Sequence, residues 1–321
     1  MNLVAVETTV VQAVKDEDAH SILNLETVDG NCVVVAVMDG HGGARAAHRC
    51  RDRLEDIVVA DRSSPVALGD SFFSDVRCDP VSQDHATQFF ERVFASLHSE
   101  CLAVQGTSGT TLTLCVFNER DGNFVCANVG DSLAVHFSTT ASHTCLTVSH
   151  RLQDNPDERM RLRSNLHFAT DRNGVPRGPV RLYPGGLACS RSLGDGDCLF
   201  LSCTPSISKG RLTPDSVVVV ASDGLWDATT LQQVKHCAIG VSGGTHTLRR
   251  QLHNATDDVT MLCVKQNVGT VNRPRRASFL WRPIFRSSSS SSVSSDDDGV
   301  ATRCPVKTSP SAQREVWRVV T

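Results

Sequence analysis

The apolar run Cys32–Met38 ends in Asp39-Gly40-His41-Gly42-Gly43, and no other stretch constrains the fold so tightly. The run reads as a buried strand. It delivers a carboxylate, an imidazole and three glycines to one tight turn. That combination supplies a hard-metal ligand, an acid–base group and room for the backbone to approach an ion or a phosphate. Asp-Gly alone is a common turn dipeptide. It recurs at Asp29, Asp121, Asp195, Asp223 and Asp298, so the weight lies in what accompanies Asp39.

Four further acidic clusters sit at the ends of strand-like runs. Lys15-Asp16-Glu17-Asp18-Ala19-His20 follows an apolar stretch from Leu3 to Val14, and Asn128-Val129-Gly130-Asp131-Ser132 lies between Phe124–Ala127 and Leu133–Phe137. Ser216–Ala221 runs into Ser222-Asp223-Gly224-Leu225-Trp226-Asp227, and Asp257-Asp258 precedes Val259–Val264. Each alone is an ordinary solvated turn. Gathered at one place they would repel one another by several kcal/mol unless a cation cancelled the charge. Oxygen-only ligation points to Mg²⁺ or Mn²⁺ rather than zinc.

Two helices are expected from apolar spacings of three and four. One covers 44–58 with Ala47, Cys50, Leu54 and Ile57 inward. The other covers 84–104 with Phe90, Val93, Phe94, Leu97 and Cys101 inward and Asp84 as cap. Strand-like runs cover 32–38, 110–117, 123–129, 133–137, 216–221 and 259–265. Gly and Asp turns between consecutive runs favour antiparallel pairing, so the fold class is α+β, antiparallel sheets with helices packed on them. Residues 61–80, rich in Ser, Pro, Asp and Gly, read as a surface loop.

Net charge is −3 across 321 residues, which gives nucleic-acid binding no electrostatic support. No apolar run approaches the ~20 residues of a membrane span. The start of the chain shows no signal-peptide pattern, and Asn2 in place of Gly argues against N-myristoylation. Thirteen scattered cysteines without Cys-x-x-Cys spacing read as free thiols in a reducing compartment. A monomer in the cytoplasm, the nucleus or both is the resulting expectation.

From about residue 268 the composition changes. Arg275-Arg276-Ala277-Ser278 leads into Ser287–Ser292 and Asp296–Asp298, a composition that cannot bury a core. The expected division is a folded domain over 1–267 and a disordered tail over 268–321. Ser278 resembles a site for a basophilic kinase, and the serines before the Asp run resemble an acidophilic one.

The clusters, in this order, resemble the metal-dependent Ser/Thr protein phosphatases of type 2C. Glu17-Asp18-Ala19-His20 and Asp39–Gly43 match two of the family's segments, and Gly109-Thr110-Thr111 is similar to its Gly-Ser-Thr. Ala127–Ser132, Leu187–Asp195, Ala221–Asp227 and Asp257–Thr260 match four more. The resemblance runs from about residue 3 to 266. It implies two stacked antiparallel β-sheets flanked by helices on both faces, with residues 150–184 as a flap beside the active site.

The resemblance also implies a chemistry. Asp39 would bridge two Mg²⁺ or Mn²⁺ ions, Asp223 and Asp257 would complete the shell of one, and the Gly40 carbonyl would contact the other. Glu17 and Asp18 would hold metal-bound waters, while Asp131 with Asp223 would form a weaker third site. A water between the metals would attack the phosphate of a phosphoserine or phosphothreonine protein, with His41 as general acid. One departure stands out: where the family carries a phosphate-gripping arginine, this chain has Ala13. Lys15 is the nearest positive charge that could substitute, as a point charge rather than a fork. Ala13 motivates an alternative, a weak or inactive phosphatase fold that binds phosphoproteins. A Cys145-x5-Arg151 match to the phosphotyrosine phosphatase loop is set aside, because the intervening residues read as strand.

Overall fold

A computed structural model describes residues 4–11, 15–27, 30–62, 70–73, 85–104, 106–140, 142–163, 166–170, 173, 176–240, 248, 252, 255–266 and 319–320. Its strands, in chain order, are β1 (Val4–Val11), β2 (Ala19–Thr27), β3 (Gly30–Met38), β4 (Gly40–His41), β5 (Gly109–Thr110), β6 (Leu112–Asn118), β7 (Asn123–Val129) and β8 (Leu133–Ser138). They continue with β9 (Thr144–Cys145), β10 (Leu166–Thr170), β11 (Pro176–Leu182), β12 (Leu193–Gly194), β13 (Ser206–Arg211), β14 (Ser216–Ala221), β15 (Val259–Gln266) and β16 (Val319–Val320). The helices are α1 (Arg45–Arg62), α2 (Asp70–Phe73), α3 (His85–Leu102), α4 (Pro156–Leu162), α5 (Asp223–Ala228) and α6 (Leu231–Ile239).

Two antiparallel sheets carry the core. One has the order β13-β7-β6-β3-β2 and the other β16-β1-β15-β14-β8-β9. Strand β3 shows why they stack. Successive side chains alternate faces, and β3 is buried on both. Cys32, Val34, Ala36 and Met38 join the cluster formed with α1 and α3, which includes Cys50, Leu54, Phe90 and Leu97. Val33, Val35 and Val37 join the inter-sheet cluster with Val218, Val220, Leu262 and Val264. Each such Val contributes about 1.5–3 kcal/mol relative to exposure. The outer face of the second sheet packs Val217, Val219 and Met261 on Leu225 of α5 and Val234 of α6. The architecture is therefore two stacked antiparallel sheets flanked by helices on both faces, the fold class expected from the sequence.

Two local expectations change, at 110–117 and at 61–80. The run 110–117 is interrupted at Thr111, because the Thr111 amide donates to the Asp39 carbonyl (2.9 Å) instead of continuing a ladder. Part of the 61–80 loop is α2, since Phe72 is buried edge-on against Phe89 at a ring distance of 5.4 Å. The 150–184 segment contains α4 and the β10–β11 hairpin, with Leu152, Leu162, Val180 and Leu182 forming a small core of their own. The expected cap Asp84, Ala13 and Ser278 lie outside the described residues.

Contacts divide the chain into one unit of residues 1–268 with 315–321 and another of 269–314. Within the first, Val319 and Val320 pair with Glu7 and Val6 of β1. No described helix is long and apolar enough to cross a membrane. The described cysteines are free thiols, Cys145 being the exposed one.

Candidate metal centre

The site forms where β3 and β14 stop. Asp39 follows Met38, and β4 turns back to pair with β5, setting Gly40 opposite Thr110 and His41 opposite Gly109. Thr111 pins this turn, its hydroxyl accepting the Asp39 amide at 3.1 Å and contacting the Ser132 hydroxyl at 2.9 Å. Glycine is required at 40, where a Cβ would stand 2.4 Å from the Glu17 carbonyl oxygen. From β14, Asp223 opens α5, where the unpaired amides of the first turn favour a negative charge. From the β7–β8 turn comes Asp131.

Asp39, Asp131 and Asp223 each place a carboxylate oxygen within 4.8 Å of the others. They line a cavity of ≈ 470 Å³ with Lys15, Gly40, His41, Asp195 and Asp257. Burial, then the charges of Asp18, Asp223 and Asp131, pushes the Asp39 carboxyl well above the usual range. Burial and Asp131 raise Asp223 as well. Asp18 is pushed up to about 7, first by burial, with Asp258 and Asp223 adding to it against the Ser222 and Thr260 hydroxyls. Its Oδ2 is buried and has no hydrogen-bond partner among the described residues. Repelling carboxylates and an orphaned buried oxygen are what a divalent cation relieves, so these residues fit a hard metal bound through oxygen.

The other expected residues are distributed around this cluster. Glu17 accepts the Gly43 amide through Oε1 at 2.7 Å, tying the β1–β2 connection to the glycine turn. Asp257 lies in the cavity but outside the three-carboxylate group, its Oδ2 2.9 Å from Lys15 Nζ. Asp258 is buried and accepts the Glu17 amide at 2.8 Å.

Two residues without an assigned role take part. Asp195 is 2% exposed and sits at φ 52, a left-handed conformation uncommon outside glycine. Both of its oxygens lie within 2.9 Å of His41 Nε2, and one also accepts from the Ser192 hydroxyl. Gly109 makes room for it, since a Cβ there would fall 2.0 Å from Asp195 Oδ2. Burial lowers the His41 pKa, but the bond and charge of Asp195 outweigh it and the net direction is upward. Arg151 reaches Asp131 with Nε (2.9 Å), Asp223 with Nη2 (2.5 Å) and Asp227 with Nη1 (3.0 Å). Asp195 ends a quoted motif, so position could have flagged it. Arg151 appears in the sequence only as the end of the Cys145-x5-Arg151 match, which gives no hint of these carboxylates.

The fold and the site define an α+β scaffold whose acidic cavity fits a hard metal ion. The family model described as Protein phosphatase 2C matches residues 10–268, and the chain belongs to that family. It is 31% identical over 218 residues to Probable protein phosphatase 2C 15 of Arabidopsis thaliana, covering 65% of this chain and 46% of that protein. It is 29% identical over 273 residues to Probable protein phosphatase 2C 3 of Oryza sativa subsp. japonica, covering 79% and 53%. The chain thus spans about half the length of these curated relatives. Its fold is similar to that of the serine-threonine phosphatase 2C from Toxoplasma gondii, with TM-score 0.57, 21% identity, and coverage of 81% of this chain and 99% of that one. A C. elegans sex determining protein shares the fold at TM-score 0.62 and 20% identity, covering 81% and 64%.

Proposed function

We propose that this chain hydrolyses phosphoserine and phosphothreonine in proteins with two Mg²⁺ or Mn²⁺ ions. The observation that carries the reading is the convergence of Asp39, Asp131 and Asp223 in one cavity with His41. Bound divalent ions supply charge neutralisation on the phosphoryl oxygens and a nucleophilic water near neutral pH. Asp39, Asp223, Asp257 and the Gly40 carbonyl would hold them, with Glu17 and Asp18 behind.

The chain's own residues do the rest. His41 gives the leaving Ser or Thr oxygen its proton. With Nε2 committed to Asp195, that proton is carried on Nδ1, and the buried carboxylate favours the charged ring. Lys15, paired here with Asp257 at 2.9 Å, is the positive charge that would meet the incoming phosphate, and Asp257 would have to release it to do so.

Release of phosphate from a phosphothreonyl peptide in Mn²⁺, with little from a phosphotyrosyl peptide, is the expected result. The alternative rests on Ala13 and on the engagement of Lys15 by Asp257. Tight binding of the phosphothreonyl peptide with no phosphate released would favour a phosphoprotein-binding fold instead.

A further inference from the structure

We propose that Arg151 is a resident cation that fills the place between Asp131, Asp223 and Asp227, so that this chain takes no third divalent ion there. The inference rests on the metal-dependent reading above and concerns how many ions the site accepts.

The guanidinium is committed on every nitrogen. Nε donates to Asp131 Oδ2 at 2.9 Å, and Nη2 to Asp223 Oδ2 at 2.5 Å. Nη1 lies 3.2 and 3.0 Å from the two oxygens of Asp227. These are charge-assisted bonds from a planar fork that cannot be deprotonated. A hard cation would need the same oxygens at about 2.0–2.1 Å, with lone pairs the guanidinium already uses. It would also face a like charge across a few ångströms.

The base of the side chain is fixed. Arg151 forms an antiparallel bridge with Cys189, the His150 amide donates to the Gly130 carbonyl (2.9 Å), and the Leu152 amide donates to the Ala188 carbonyl (2.9 Å). The buried Cys189 thiol also lies against Asp131. Asp131 therefore meets a guanidinium and a thiol before any metal arrives. The Asp18–Asp39 side has no such partner: among the described residues no Lys or Arg forms an ion pair with either, and the Asp18 Oδ2 is orphaned.

Isothermal titration of the full chain with Mn²⁺ tests this by counting ions. The wild type should bind two ions, and Arg151→Ala should gain one weaker ion. Adding Asp227→Asn to Arg151→Ala should remove that gain, whereas Asp227→Asn alone should leave the count unchanged. Three ions on the wild type would overturn the proposal without any variant, which keeps it falsifiable if Arg151→Ala fails to fold. A folded Arg151→Ala protein that still binds two ions would overturn it too. No Mn²⁺ bound to the wild type at all would instead sink the metal-dependent reading on which it rests.

Discussion

The two sides of the acidic cavity are built differently. Around Arg151, the carboxylates of Asp131, Asp223 and Asp227 share one guanidinium. Around Asp39, burial and neighbouring negative charge raise the carboxyl, and Asp18 holds an oxygen with no hydrogen-bond partner. A protein that cancels charge within one site and leaves it standing a few ångströms away marks the second place for an ion it does not itself encode. The difference separates Asp227, held by the guanidinium alone, from Asp39 and Asp18, which it leaves unpaired, with Asp223 shared between the two sides.

The comparison breaks most visibly at Asp39. Asp39→Asn should reduce Mn²⁺-dependent hydrolysis by roughly 10³-fold or more, since it removes the carboxylate proposed to hold the metal. Asp227→Asn, on the clamped side, should change it by no more than about threefold. Comparable losses in steady-state rates would erase the distinction between the two sides.

His41 gives the next effect. His41→Gln should slow peptide phosphate hydrolysis by about 10²–10⁴-fold and aryl phosphate hydrolysis far less, because an aryl leaving group needs little protonation. Asp195→Asn should follow the same pattern at about 10–100-fold, the worth of a hydrogen bond to a charged group. Equal losses on both substrates would make the pair a structural prop.

Ala13→Arg should lower the peptide KM by about 10–100-fold, if a forked hydrogen bond to phosphate is worth about 1.5–3 kcal/mol. An unchanged KM would mean that Lys15 already meets the phosphate.

The smallest effect lies behind the clamp. Burial, then Arg191, lowers the His150 pKa from 6.5 to about 4, against the opposing effect of Glu158. The unfolded chain therefore binds the proton first, and stability present above about pH 6.5 should be lost as pH falls towards 4. Melting temperature against pH should show this slope in the wild type and a flatter one in His150→Asn.

Much of this was legible in the sequence for a physical reason. Asp39, Asp131, Asp223 and Asp257 each end or begin an apolar run, and a carboxylate at a buried strand end is conspicuous. The helix faces of α1 and α3 were legible from their spacing, and Phe89 simply joined Phe90. What could not be read were relations between distant residues. His41 and Asp195 are 154 positions apart, and Arg151 and Asp223 are 72 apart. Strand β13, Ser-Ile-Ser-Lys-Gly-Arg, carries almost no apolar signal because it is a half-buried edge. Phe72 was hidden in a polar segment because one turn of helix is too short to show a period.

Hydrolysis of a chromogenic aryl phosphate in Mn²⁺, in Mg²⁺ and in excess EDTA addresses the central claim most directly, since this substrate depends least on His41 and Ala13. The account predicts turnover with either ion and its abolition by EDTA, restored when Mn²⁺ is added back. Turnover that survives excess EDTA would contradict it.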